Sequence, residues 1–165
     1  RYVKPPVICC IGDVALAISC AFEQYMEITS MLLMQASSQQ ADHHDSEMVM
    51  FVNELRVSVF EAYTGLLVGL DDGSKLNLFV PNVQSVFGLI DMISSPEAFR
   101  DAALLKGAVA LIGDLARLLG SNDTVKQEMQ RCHAAIMQLI HHCASCGDDA
   151  REAATYAHQQ LAALA

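Results

Sequence analysis

Apolar residues recur along this chain at the three- and four-residue spacings of amphipathic helices, and no stretch holds the two-residue alternation of a half-buried strand. About seven helices are predicted on this pattern. The first covers residues 5–19, with Pro5 and Pro6 where a missing N–H costs nothing, and Val7, Ile11, Val14 and Ile18 on one stripe. The second, 21–36, is apolar on several sides through Phe22, Tyr25, Met26, Ile28, Met31, Leu32 and Leu33, as expected of a helix packed between neighbours. The third, 47–70, has the stripe Val52, Leu55, Val59, Ala62, Leu66 and Leu70, with Asp71-Asp72-Gly73 as its stop. The fourth, 79–93, carries Pro81 near its start and closes at Ser94-Ser95-Pro96. The fifth, 98–119, stops at Gly120, and Ser121 or Asn122 can cap the sixth, 124–143. Gly147-Asp148-Asp149 then precedes the seventh, 149–164.

Two of these helices repeat a phrase. Ile11-Gly12-Asp13-Val14-Ala15-Leu16-Ala17 returns as Ile112-Gly113-Asp114-Leu115-Ala116-Arg117-Leu118. Gly12, Gly65 and Gly113 all sit inside helices, where each costs about 1 kcal/mol relative to Ala. The reason expected for that cost is close approach of a neighbouring backbone. The intervals between these glycines, 53 and 48 positions, lie near the roughly 40–47 of a helix-pair repeat with longer loops. The first, third, fifth and seventh helices then form one series, and the second, fourth and sixth the other. The expected fold is all-α, a HEAT-repeat α-solenoid of stacked antiparallel helix pairs, with residues 1–165 as one segment of a longer solenoid.

A chain of 165 residues with 53% hydrophobic content can bury a substantial core. Its apolar runs, such as Val7 to Ala21, are broken by Gly12 and Asp13 and fall short of the ~20 residues of a membrane span, so no membrane is expected. The residues after Arg1 do not read as a secretory signal, and the chain is expected to be a piece of something longer. An open end at Arg1 would leave the first helix's apolar stripe exposed and able to drive dimerisation, which a monomer in light scattering would refute.

Nineteen carboxylates against ten Lys and Arg give a net charge of −9, which disfavours nucleic acid and favours a basic partner. Asp42, Asp45, Glu47, Glu54 and Glu61 face only Arg56 within one stretch. The alternative is that these charges only keep the chain soluble.

The route to a metal protein runs through Cys132, His133, His141, His142, Cys143 and Cys146, a single Cys-x-x-Cys at a helix end with nearby histidines. Positions 132 and 143 also suit one buried helical face, and Cys9, Cys10 and Cys20 read as small hydrophobes in a reducing compartment. Asp42-His43-His44-Asp45 is either a solvated loop or a stray cation site. No phosphate-cradling glycine loop, Gly-x-Ser-x-Gly or His-Glu-x-x-His is present, so neither an enzyme nor a cofactor is expected.

The segments Lys4-Pro5 through Ile18, Asn53-Glu54-Leu55-Arg56 with Glu61-Ala62-Tyr63-Thr64-Gly65, and Leu111-Ile112-Gly113-Asp114-Leu115 resemble, in order and spacing, the C-terminal HEAT repeats of the importin-beta family of nuclear import receptors. The resemblance is close over 4–70 and 111–119 and looser over 79–100 and 122–165. It implies an acidic concave face, lined by the first-series helices, that grips the basic helix of importin-alpha or a basic cargo. It also implies Met-rich grooves between second-series helices that accept Phe side chains of nucleoporin FG repeats, Ran contacts mainly on repeats absent here, and shuttling between cytoplasm and nucleus. In the last helix Tyr156 stands where the family carries Trp, among Ala, His and Gln rather than Lys and Arg.

Residue placement agrees with a cradle. Asp13, Glu61 and Asp114 each follow an apolar position by two residues, about 200° around a helix, so each points away from it. They either receive a partner's Arg and Lys or pair with a base of the next repeat. Tyr156 either packs on a partner's alkyl stem or is a half-buried core residue. Glu152, with Asp148 and Asp149, sits where a helix dipole alone favours acids. The candidate partner-binding residues are Asp13, Glu54, Glu61, Asp114, Glu152 and Tyr156.

Overall fold

The computed structural model describes residues 4–42, 44–71, 75–95 and 100–164. The predicted stop at Asp72-Gly73, the closure at Pro96, the start at Ala98, residue His43 and the end at Arg1 lie outside them. The described residues are helical without a strand: α1 (Pro5–Ile18), α2 (Met26–Ser37), α3 (Ser46–Gly69), α4 (Val83–Ser94), α5 (Ala102–Leu119), α6 (Asp123–Arg131), α7 (His133–Ala144) and α8 (Asp148–Ala162). Tighter 3₁₀ stretches occupy Ser19–Tyr25 and Leu76–Asn82. The fold is an all-α HEAT-repeat solenoid, and the chain divides into two compact units at Asn82 and Val83.

In the first unit α1 lies against α3 at backbone distance. A Cβ on Gly65 would stand 2.5 Å from the Gly12 Cα, and one on Gly69 would stand 2.6 Å from the Ala15 carbonyl oxygen. Later positions of α1 meet later positions of α3, so the two helices run parallel, as same-series helices of stacked repeats do. The glycines thus serve the close approach expected of them. The α3 stripe read from the sequence, Val52 through Leu70, is buried throughout. Leu66 and Leu67 show no exposure at all, and each such side chain contributes about 1.5–3 kcal/mol.

The α1 stripe turns the other way. Val7, Val14 and Ile18 are exposed, while Ile8, Gly12 and Ala15 form the buried face. The small residues win the interface because they permit backbone contact that a Val or Ile row would prevent. On α2, Met26 and Leu33 are buried but Ile28, Met31, Leu32 and Met34 are exposed, so this helix is not enclosed on several sides.

The second unit repeats the parallel stack with α5 and α8. A Cβ on Gly113 would meet the Tyr156 ring at 2.6 Å and the Ala157 Cα at 3.1 Å, and one on Gly120 would meet Leu164 at 2.5 Å. The single sixth helix of the sequence reading is two helices, separated at Cys132 (φ −93°, ψ 11°). Asn122 caps α6 by accepting from the Thr124 and Val125 amides, and Gly147 enters α8 at φ 115°, a left-handed conformation that favours glycine.

One expectation is corrected here. Pro5–Ser37 and Leu76–Ser94 are each long and apolar enough to cross a membrane by length and composition. The sequence reading took Gly12 and Asp13 as breaks, but both lie inside α1, which runs on through a 3₁₀ turn into α2. Of these apolar windows 28% and 44%, respectively, are buried within the fold.

Candidate functional site

Asp13 and Glu61 come together on the α1–α3 pair, with the half-buried Cys9 between them. Cys9 Sγ donates to Glu61 Oε2 at 3.2 Å. The Glu61 carboxylate, ahead of burial and of the charge on Asp13, pushes this thiol up to about 11. Glu54 lies two turns before Glu61 on α3 and is exposed, as are Asp13 and Glu61. Among the described residues none of these three carboxylates meets a Lys or Arg. The option that Asp13 and Glu61 pair with a base of the next repeat is therefore not realised within this unit.

Asp114 is placed differently. The Tyr156 hydroxyl donates to Asp114 Oδ1 at 2.7 Å, and Arg117 Nε donates to the same hydroxyl at 3.2 Å. Arg117 Nη2 stands 3.8 Å from Asp114 Oδ1. Burial, then the bond to Asp114, raises the Tyr156 hydroxyl above the ordinary tyrosine value. The Tyr156 ring rests over Gly113, which has no side chain to obstruct it. Sequence reasoning selected both Asp114 and Tyr156 without finding their contact, and it missed Arg117, which only the fold brings to them. Glu152, one turn before Tyr156 on α8, is exposed.

The cysteines and histidines do not converge. Among the described residues no three His, Cys, Asp or Glu form a ligand set. The buried Cys143 Sγ donates to the Ala150 carbonyl at 3.2 Å and the exposed Cys146 Sγ to the His142 carbonyl at 3.2 Å. Burial followed by Asp91 pushes Cys132 up to about 12, and burial raises Cys143. In the loop, Asp42 accepts from the His44 amide and Asp45 caps α3 through the Met48 amide, so both carboxylates serve turn and cap.

A family profile described as importin subunit beta-1-like, TPR repeats, matches residues 1–145. The chain belongs to the importin beta-1-like family. Importin subunit beta-1 of Schizosaccharomyces pombe is 41% identical over 118 residues, covering 70% of this chain and 13% of the relative. A crystal structure of importin beta in an ammonium sulfate condition superposes with a TM-score of 0.86 at 28% identity, over 96% of this chain and 18% of that one. A Kap95:Nup1 complex shares the fold, with a TM-score of 0.82 over 98% of this chain. The chain thus spans less than a fifth of the length of the importin-beta proteins it matches. Helix α8, which carries Glu152 and Tyr156, lies beyond the residues matched by the family profile.

Proposed function

We propose that this chain is a non-enzymatic segment of an importin-beta-like nuclear transport receptor that holds a basic helix, of importin-alpha or of a cargo, against the carboxylates of α1 and α3. One observation carries the reading: Asp13, Glu54 and Glu61 stand exposed on one close-packed helix pair with no Lys or Arg beside them among the described residues. Unpaired carboxylates on a rigid stack lose little side-chain freedom when a partner's guanidinium arrives, and charge complementarity speeds the encounter. Asp114 and Tyr156 are secondary contacts in this reading, because Arg117 already occupies them. Such a receptor works in the cytoplasm, the nucleus and the pore between them. The Kap95:Nup1 neighbour supports nucleoporins as a second class of partner.

The test is titration with the basic N-terminal helix of importin-alpha at low and moderate salt. Binding is expected to weaken with salt. The combined Asp13→Ala, Glu54→Ala and Glu61→Ala variant should lose at least about tenfold in affinity, which is about 1.4 kcal/mol. Undiminished binding by that variant would refute the assignment to these carboxylates.

A further inference from the structure

The turn that leads from α7 into α8 begins and ends its tightest part in cysteine. The Cys146 amide donates to the Cys143 carbonyl at 3.0 Å. A turn closed in this way holds its first and fourth Cα atoms within about 7 Å, and a disulfide spans about 4.4–6.8 Å between Cα atoms. Both thiols are free.

The two differ in access. Cys143 is buried, and its Sγ donates to the Ala150 carbonyl at 3.2 Å, tying the end of α7 to the first turn of α8. Cys146 is exposed, with its Sγ donating to the His142 carbonyl at 3.2 Å. It lines a cleft of about 350 Å³ that Lys106 of α5 also lines. Gly147 follows it, and a Cβ there would meet nothing within 4 Å, so no side chain at that position screens the sulfur. Burial is the leading cause that raises the Cys143 thiol, charge on Cys146 adds to it, and Lys106 opposes both. An adduct on Cys146 abolishes that charge, so Cys143 ionises more readily once its neighbour is capped.

We propose that Cys143 and Cys146 form a reversible dithiol site, in which Cys146 takes up a small disulfide of the glutathione class and Cys143 displaces the adduct to close a disulfide across the turn. In the first step the Cys146 thiolate attacks one sulfur of the small disulfide. The bond to Cys146 Sγ forms, the S–S bond of the reagent breaks, and the departing thiolate takes up the proton that Cys146 released. In the second step the Cys143 thiolate attacks Cys146 Sγ, and the second small thiol leaves with the proton of Cys143. The protein pair loses two electrons, and one small disulfide is reduced to two thiols. Closure takes Cys143 Sγ off the Ala150 carbonyl, so the start of α8 loses that tie. Transient disulfides of this kind are the redox-sensing ones of reducing compartments. The site stands whether or not the α1–α3 carboxylates bind a basic helix.

The test equilibrates the chain with graded mixtures of reduced and oxidised glutathione, followed by acid quench, alkylation in denaturant and tandem mass mapping of each cysteine. The parent should accumulate a Cys143–Cys146 disulfide that excess reduced glutathione reverses. In brief native labelling, Cys146 should react with iodoacetamide at least about tenfold faster than Cys143. Cys143→Ala should stop at one glutathionyl group on Cys146. Cys146→Ser, at an exposed position that does not support the core, should leave Cys143 reduced, and it decides the matter even if the buried substitution unfolds the chain. A Cys146 adduct that never gives way to the disulfide at any ratio, a bridge that uses Cys132 in place of Cys143, or equal oxidation of Cys143 in the Cys146→Ser chain would each overturn the proposal.

Discussion

The Tyr156 hydroxyl donates to Asp114 Oδ1 at 2.7 Å across the parallel stack of α5 and α8, with Arg117 closing the contact from the other side. The aromatic ring reaches this position because residue 113 is glycine. A hydrogen bond to a charged acceptor contributes about 1.5–3 kcal/mol net, the low end of which applies at this half-buried site. Tyr156→Phe should therefore lower stability by about that amount in a denaturant melt, with helix content unchanged. The hydroxyl is raised by burial and by Asp114, so it should ionise above the ordinary tyrosine range in an ultraviolet titration. Asp114→Asn should bring that midpoint down.

Gly65 and Gly88 separate two effects that usually travel together. At Gly65 a Cβ would lie 2.5 Å from the backbone of Gly12, which cannot yield, whereas a Cβ on Gly88 in α4 meets nothing within 4 Å. Gly65→Ala gains helix propensity of about 1 kcal/mol but must push α1 from α3, and overpacking costs about 1–3 kcal/mol or more. A net loss of stability is expected. Gly88→Ala keeps the propensity gain alone and should raise the denaturation midpoint by about 0.5–1 kcal/mol equivalent. If the two substitutions act alike, the close approach of α1 and α3 is not what fixes Gly65.

Cys9 reports on Glu61. A thiol raised from 9.0 to about 11 presents about a hundredfold less thiolate at pH 8, partly offset by the greater nucleophilicity of a more basic thiolate. Its alkylation by iodoacetamide should be about tenfold slower than that of an ordinary exposed thiol, and should accelerate as pH rises toward 11. Glu61→Ala removes the leading cause of the shift, so the Cys9 rate at pH 8 should rise. Peptide mass mapping after brief labelling reads each cysteine separately.

Tyr63 is buried without exposure, edge-on to Phe79 with ring centroids 5.9 Å apart. Its hydroxyl meets no hydrogen-bond partner among the described residues, and burial raises it well above the ordinary tyrosine value. Removing an unsatisfied buried hydroxyl while keeping the ring recovers about 1 kcal/mol or more of desolvation. Tyr63→Phe should be as stable as the parent or more so in thermal melts, unlike the loss expected for Tyr156→Phe.

Particular residues show where the sequence was a sufficient guide. Gly12, Gly65 and Gly113 marked the parallel stacks because close approach of a neighbouring helix repays their propensity cost there, and the Asn122 cap followed from local chemistry. The α3 stripe was legible because that helix is enclosed. The direction of α1 was not, since Val7, Val14 and Ile18 form a good apolar stripe whichever side is covered. Nor was the break at Cys132, which has no Gly or Pro to signal it and is set by packing of Cys132 against α4, where its Sγ lies 3.9 Å from the Phe87 carbonyl. At the site, the residue types pointed to charge, but the distinction between unpaired Glu61 and occupied Asp114 depends on Arg117 and Tyr156 meeting from opposite sides.

The most direct measurement is a double-mutant cycle between this chain and the basic importin-alpha helix, pairing Asp13→Asn and Glu61→Gln with single Arg→Ala and Lys→Ala changes in the peptide at fixed moderate salt. If the helix lies on the α1–α3 edge, at least one pair should couple by about 1 kcal/mol or more, with no comparable coupling to Asp123→Asn on α6. Coupling near zero for every pair, with the peptide still bound, would contradict the placement of the basic partner on these helices.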